Sequence, residues 1–222
     1  MKVLALETAT EACSAALWVD GSLVQRYRLA PREHAALILA MCDEVLAEGG
    51  VARGQLDAIA FGRGPGSFTG VRIAASVAQG IGFALDRPLL PVSTLAALAQ
   101  GALRERGWTQ VFAAIDARMG EVYWAAFAAG GDGRVAPLTG EAVAPPARVG
   151  AFAGFCGAGS GWQSYGQLLA DATGIGEWDG TRLPQAADVA LLAAAAFTRG
   201  EAVAPELALP VYVRDDVTHK KG

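Results

Sequence analysis

The sequence predicts an α/β protein of two similar-sized lobes, each a mixed sheet flanked by helices. Three observations carry the prediction. A chain of 222 residues can bury one large core or two small ones without disulfides or metals. Hydrophobic residues make up 53% and charged ones only 18%, which excludes a disordered chain. Each half opens with strand-like runs and then alternates helix and strand, the pattern of layered α/β domains.

The elements follow in order. Apolar runs at 3–7, 12–19 and 22–29 read as three strands. The last two are joined by Asp20-Gly21, a hairpin pair because Gly accepts the positive φ of a tight turn. Pro31 ends the third strand, and a helix over 33–48 stops at Gly49-Gly50. A strand over 57–61 leads into a Gly-rich loop at 62–70 and a second helix over 71–85. Pro88 and Pro91 flank a short strand, and Ser93 is placed to cap a helix running to Arg106, its hydroxyl accepting an otherwise unpaired N–H. Gly107 marks the boundary, so the lobes are drawn as 1–106 and 107–222, with the tail after 210 a candidate to pack back on the first lobe. Strands at 110–115 and 121–128 then enclose a turn at 116–120, and the Gly- and Pro-rich stretch 130–146 gives strand fragments and loops. A strand near 152–156, a Gly-rich turn and helices near 165–172 and 186–199 complete the chain. Antiparallel strands followed by helix–strand–helix resemble a ribonuclease-H-like lobe.

Charge and cysteine usage narrow the function classes. With 18 Lys+Arg against 22 Asp+Glu the formal charge is −4, too acidic for strong unaided nucleic-acid binding, which rests on many cations neutralising phosphates. Any nucleic-acid role is expected to work through a partner. Arg72 and Gln79 interrupt the longest apolar stretch, short of the roughly 20 successive residues of a membrane span, and Glu7 comes too early for a signal peptide. Cys13, Cys42 and Cys156 are odd in number and lack CxxC spacing, the usage of a reducing compartment. A cytoplasmic protein without a membrane role is expected.

The loop Gly64-Pro65-Gly66-Ser67-Phe68-Thr69-Gly70 is the most informative stretch. Pro65 presets φ at one turn position, Gly66 is expected to supply positive φ at the next, and Ser67 or Thr69 can cap the following helix. Such a turn offers free N–H groups to an anion, which makes Gly64, Gly66, Ser67 and Thr69 weak binding candidates against a plain strand-to-helix connection. The two helices of the first half carry another message. Residues 35–42 are apolar for two whole turns, and the second helix keeps only Arg72, Ser76 and Gln79 as a polar stripe. That is more apolar surface than one sheet face consumes, so the helices are either sandwiched within the monomer or form a docking face.

Catalytic constellations are sparse. His34 and His219 are the only histidines, no HxxxH pair or Cys–His pairing occurs, and no GxSxG elbow is present, so no catalytic residue, metal ligand or cofactor is assigned. Glu7, Asp116 and Glu121 sit at strand ends, where a lone acid is more often a turn residue than a base. Arg26, Arg28 and Arg32 read as a solvated face and His219-Lys220-Lys221 as a frayed tail.

Five blocks carry a resemblance: Leu4-Ala5-Leu6-Glu7-Thr8-Ala9-Thr10, the loop Gly64–Ile73, Val92-Ser93-Thr94-Leu95, Asp116-Ala117-Arg118-Met119-Gly120-Glu121-Val122-Tyr123, and Pro210-Val211-Tyr212-Val213-Arg214. In this order, over nearly the whole chain, they resemble the TsaB (YeaZ) family. The resemblance implies an actin-like ATPase fold of two ribonuclease-H-like lobes. It implies an accessory, non-catalytic role in making threonylcarbamoyladenosine at position 37 of ANN-decoding tRNAs, as heterodimer partner of the metal-containing catalytic paralogue TsaD, joined by the ATPase TsaE. A homodimer is expected when the chain is isolated, and tRNA is met only through the complex. The M22 peptidase-like label of such proteins is inherited from the paralogue, whose two-histidine helix motif is here reduced to His34. Glu7 departs from the Asp usual on the family's first strand. Docking through the two first-lobe helices nominates, by periodicity, His34, Leu37, Ile38, Met41 and Val45 on one and Arg72, Ile73, Ser76, Val77 and Gly80 on the other. A stand-alone actin-like ATPase or small-molecule kinase, encouraged by the second Gly-rich turn 157–161, is the alternative reading, and an M22-type peptidase the last.

Overall fold

The computed structural model describes residues 1–214. The first sheet has five strands, β1 (Lys2–Glu7), β2 (Ala12–Val19), β3 (Ser22–Leu29), β4 (Ala58–Gly62) and β5 (Leu89–Val92), in the order β3-β2-β1-β4-β5. β1, β2 and β3 pair antiparallel, whereas β1, β4 and β5 are parallel. That is the ribonuclease-H-like arrangement. The second sheet repeats its beginnings with β6 (Gln110–Arg118), β7 (Glu121–Ala129), β8 (Val135–Pro137), β10 (Cys156–Ala158) and β11 (Glu177–Asp179), with β9 (Ala142–Ala144) paired to β7. Among the described residues five α-helices complete the fold: α1 (His34–Glu48), α2 (Phe68–Leu85), α3 (Thr94–Arg106), α4 (Ser160–Thr173) and α5 (Ala186–Thr198).

Local chemistry explains most boundaries. Asp20 and Gly21 both take positive φ, 47° and 101°, closing the β2–β3 hairpin. Ser93 Oγ accepts the Ala96 N–H at 3.1 Å to start α3, and Gly107 ends it at φ 70°. Helix α2 begins three residues earlier than the sequence suggests, because Ser67 is its N-cap. Strand β10 lies at 156–158 instead of 152–156, and α4 starts at Ser160, its non-helical Tyr165 (φ −135°) dividing it where the sequence pattern only began.

Each sheet is covered on both faces. Leu4, Leu6, Leu17, Ile59 and Phe61 pack under α1 and α2, while the opposite face of the same strands carries Ala5, Ala16, Ala58 and Ala60 and receives α5. Small residues there let an alanine-rich helix approach closely. Helix α5 lies within the half drawn as 107–222, yet it packs on the first sheet and against α3. Helix α3 in turn covers one face of the second sheet, and α4 the other, over the aromatic cluster of Phe112, Trp124, Phe152 and Trp162. The pair α3–α5 therefore fills the space between the sheets, with α1 and α2 on the outside.

Candidate functional site

Two regions answer to the sequence-derived candidates: the loops gathered at the end of β1, and the outer surface of α1 and α2.

At the end of β1 the loop after β4 folds onto residues 8–10. Positive φ falls on Gly64 (97°), ahead of a cis Gly64–Pro65 bond, and not on Gly66 as the turn chemistry suggested. Gly66 is required for another reason: a Cβ there would stand 2.6 Å from the carbonyl oxygen of Ala9. Gly70 is likewise pressed against Thr8, whose hydroxyl donates to the Gly70 carbonyl at 2.7 Å. Three of the loop's N–H groups turn inward. Gly64 donates to Thr94 Oγ1 (3.2 Å), Ser67 to the Ala9 carbonyl (2.7 Å) and Gly70 to Ser67 Oγ (3.5 Å). Three of the loop's donors, those of Gly64, Ser67 and Gly70, are thus already bonded, which leaves fewer free N–H groups for an anion than the sequence offered. The second Gly-rich turn has a packing cause too, since a Cβ on Gly159 or Gly161 would collide with Ala114 of β6.

Glu7 is fully enclosed beside this loop. Its carboxylate accepts the Ala9 N–H at 2.7 Å and the Thr94 hydroxyl at 3.2 Å, and Gly62 leaves the room it occupies. Burial pushes its pKa up to about 7, against the opposing pull of the Ala9 N–H and Thr94 hydroxyl. Asp116 accepts the Arg118 N–H (2.8 Å) and the Ser164 hydroxyl (3.3 Å), and Glu121 pairs with Arg214. Asp116 thus serves the turn between β6 and β7, and Glu121 ties the start of β7 to Arg214. Arg26 is held by Glu44 and Glu48 of α1, so it is not a free cation. Among the described residues no three His, Cys, Asp or Glu side chains gather as a metal site; His219, Lys220 and Lys221 lie outside the described residues.

The outer surface of α1 and α2 differs from the sequence expectation in its membership. Ile38 and Val45 are wholly buried and Met41 and His34 nearly so; all four face the sheet, with Ile38, Met41 and Val45 in its core, and none belongs to the outer face. The reason is that an all-apolar run carries no phase: nothing in residues 35–42 marks which side meets the sheet. Leu37, Ile73 and Val77 are half-buried, and Arg72, Ser76 and Gly80 are exposed. The side that does face outward carries Ala35, Ala36, Leu39 (55% exposed) and Ala40 on α1. On α2 it carries Phe68 and Phe83, each more than half exposed. Ala35, Phe68, Thr69, Arg72, Ile73, Ser76 and Val77 line a groove of about 430 Å³ between the helices.

Helix α2 is long and apolar enough to cross a membrane by length and composition, but its small residues Gly70, Ala74, Ala75, Ala78 and Gly82 are buried against the first lobe. The segment that lies along this helix reaches it from Pro205, ahead of the tail after 210 that the sequence offered as a candidate to pack back on the first lobe. Gln79 Nε2 donates to the carbonyls of Pro205 (3.1 Å) and Ala208 (3.2 Å), and Arg72 Nε donates to Tyr212 Oη (2.8 Å). The polar stripe of Arg72 and Gln79 was the available signal.

Comparison with known proteins agrees with this architecture. The family model described as TsaD, tRNA N6-adenosine threonylcarbamoyltransferase, matches residues 27–159. The tRNA threonylcarbamoyladenosine biosynthesis protein TsaB of Escherichia coli is 44% identical, over 100% of this chain and 98% of the relative. TsaB of Haemophilus influenzae is 38% identical, over 100% and 97%. The crystal structure of YeaZ from Pseudomonas aeruginosa superposes with a TM-score of 0.91 at 50% identity, covering 95% of this chain and 99% of that one.

Proposed function

Because the chain belongs to the TsaB family of tRNA threonylcarbamoyladenosine biosynthesis proteins, we propose that it serves that modification as a non-catalytic docking subunit. In this reading it pairs with a TsaD-type threonylcarbamoyltransferase through the outer face of α1 and α2. The TsaE-type ATPase joins the pair, and adenosine 37 of ANN-decoding tRNAs is modified by the assembly. The isolated chain covers the same face by forming a homodimer.

The carrying observation is the size gradient across α2. Its buried side is built of Gly, Ala and Val, and its exposed side holds Phe68 and Phe83. An ordinary amphipathic helix buries its largest apolar groups, each stabilising by about 1.5–3 kcal/mol when removed from water. Here they are left for another chain. The enclosed Glu7 supports the non-catalytic part, since its oxygens are engaged by Ala9 and Thr94 and closed in by Gly62.

The test is mass by light scattering after mixing with the host's threonylcarbamoyltransferase paralogue, with and without ATP. A one-to-one heterodimer that displaces the homodimer is the expected result. No association under either condition overturns the proposal, and micromolar ATP–magnesium binding to the isolated chain would replace it with an ATPase reading.

A further inference from the structure

The segment 205–214 is not absorbed by a two-helix docking face, although Pro210–Arg214 was one of the five blocks that carried the resemblance. It runs antiparallel along α2. Gln79 holds its start through the Pro205 and Ala208 carbonyls, and the Val211 N–H donates to the Arg63 carbonyl at 2.8 Å. Tyr212 then packs against Phe68, the rings tilted by 36° with centres 5.8 Å apart, and the Arg72 guanidinium lies over the Phe68 ring at 3.7 Å while bonding Tyr212 Oη. Arg214 ends the run on the second lobe, pairing with Glu121 and the Ala117 carbonyl. Two of the four polar side chains of α2 are thus committed to holding this segment, and what it presents outward is apolar: Leu207 is 68% exposed, Leu209 60% and Tyr212 46%.

We infer that residues 205–212 are the third element of the docking face, contacting the partner together with α1 and α2. The inference rests on the partner reading above and deepens it. Its occupant is a chain of the same fold that lays its own equivalent helix pair across the surface, since the threonylcarbamoyltransferase family model spans both of these helices. Area supports three elements over two. Helices α1 and α2, of 15 and 18 residues, are about 22 and 27 Å long and each about 10 Å across, so side by side they project about 500 Å², short of the roughly 800 Å² per partner of a stable interface. A peptide strip along α2 narrows that gap.

The test measures affinity for the paralogue by calorimetry with three variants of the full chain: Leu39→Glu on α1, the double variant Leu207→Asp/Leu209→Asp, and Tyr212→Ala. All change exposed side chains, and thermal unfolding checks that each remains folded. The expected result is at least a tenfold loss for Leu39→Glu and for the double variant, with a smaller loss for Tyr212→Ala. Loss confined to Leu39→Glu, with wild-type affinity for both segment variants, overturns the third element and leaves the two-helix reading standing. Wild-type affinity for all three, or no binding by the unaltered chain, overturns both.

Discussion

Helices α2 and α5 are nearly alike in composition and opposite in fate. Each is dominated by Ala, Gly and aliphatic residues and carries a single charged side chain, Arg72 in one and Asp188 in the other. Helix α5 is enclosed by the first sheet on one side and α3 on the other, and its charge is buried in a bidentate pair with Arg104 (2.9 and 3.1 Å). Helix α2 is covered on one side, and its charge lies on the surface between two aromatic rings. The difference teaches that an apolar helix is internal when small residues line both its sides, as Ala187, Ala190, Ala193 and Ala194 do in α5. When small residues line only the inner side and Phe the outer, the helix keeps its largest apolar groups at the surface.

The sharpest way to break this comparison is to place the same charge on adjacent residues of α1. Ile38→Glu puts a carboxylate into the core under the sheet and is expected to cost more than ~4 kcal/mol, most of an ordinary protein's stability. Leu39→Glu, one residue on, is expected to stay within ~0.5 kcal/mol of wild type in denaturant unfolding. Equal losses at the two positions would mean that the outer side is also core.

A second effect comes from the strand between the two helical layers. Glu7 has a folded pKa near 7 against 4.5 for the unconstrained group, so the folded state holds the proton more tightly. Its contribution is fully present below about pH 4.5 and is lost as pH rises through about 7, a change of roughly 3 kcal/mol. The stability of Glu7→Gln minus that of wild type should therefore grow between pH 5 and 8. A difference that is flat across that range would mean that the carboxylate reaches water or a cation.

The smallest effect sharpens the inner side of the comparison. Asp188→Asn weakens the tie between α5 and α3, and because Arg104 is a third exposed the expected loss is about 2 kcal/mol, read by thermal unfolding. Loss of the charge with no change in stability would show that alanine packing alone seals α5.

The elements were legible where local chemistry decides them. Asp20-Gly21 and Ser93 each announce a turn or a cap that needs no tertiary partner. Strand β11 was not legible, since Glu177-Trp178-Asp179 has neither the length nor the apolar alternation of a strand and pairs only because β10 offers its edge. On the outer surface of the two helices, the exposed residues of α2 were legible from its polar stripe and those of α1 were not. Ile38 and Leu39 are chemically near-identical neighbours, and only the sheet beneath decides that one is core and the other surface. Gly66 shows the same limit: its absence of a side chain answers to the Ala9 carbonyl, a residue 57 positions earlier, and no local turn rule contains that distance.

The position of α5 also has a consequence for how the chain is made. The alanine face of the first sheet, complete in strands once Val92 has been added, stays open until Ala186–Thr198 has been synthesised. At the ~5–20 residues per second of translation, the intervening stretch occupies roughly 5–20 seconds. During that interval the growing chain carries an unroofed sheet, while α1 and α2 can already close the other side. The first lobe therefore reaches its final form only after β6 to β11 of the second sheet have been made, and its last covering layer comes from a helix that follows them in the chain.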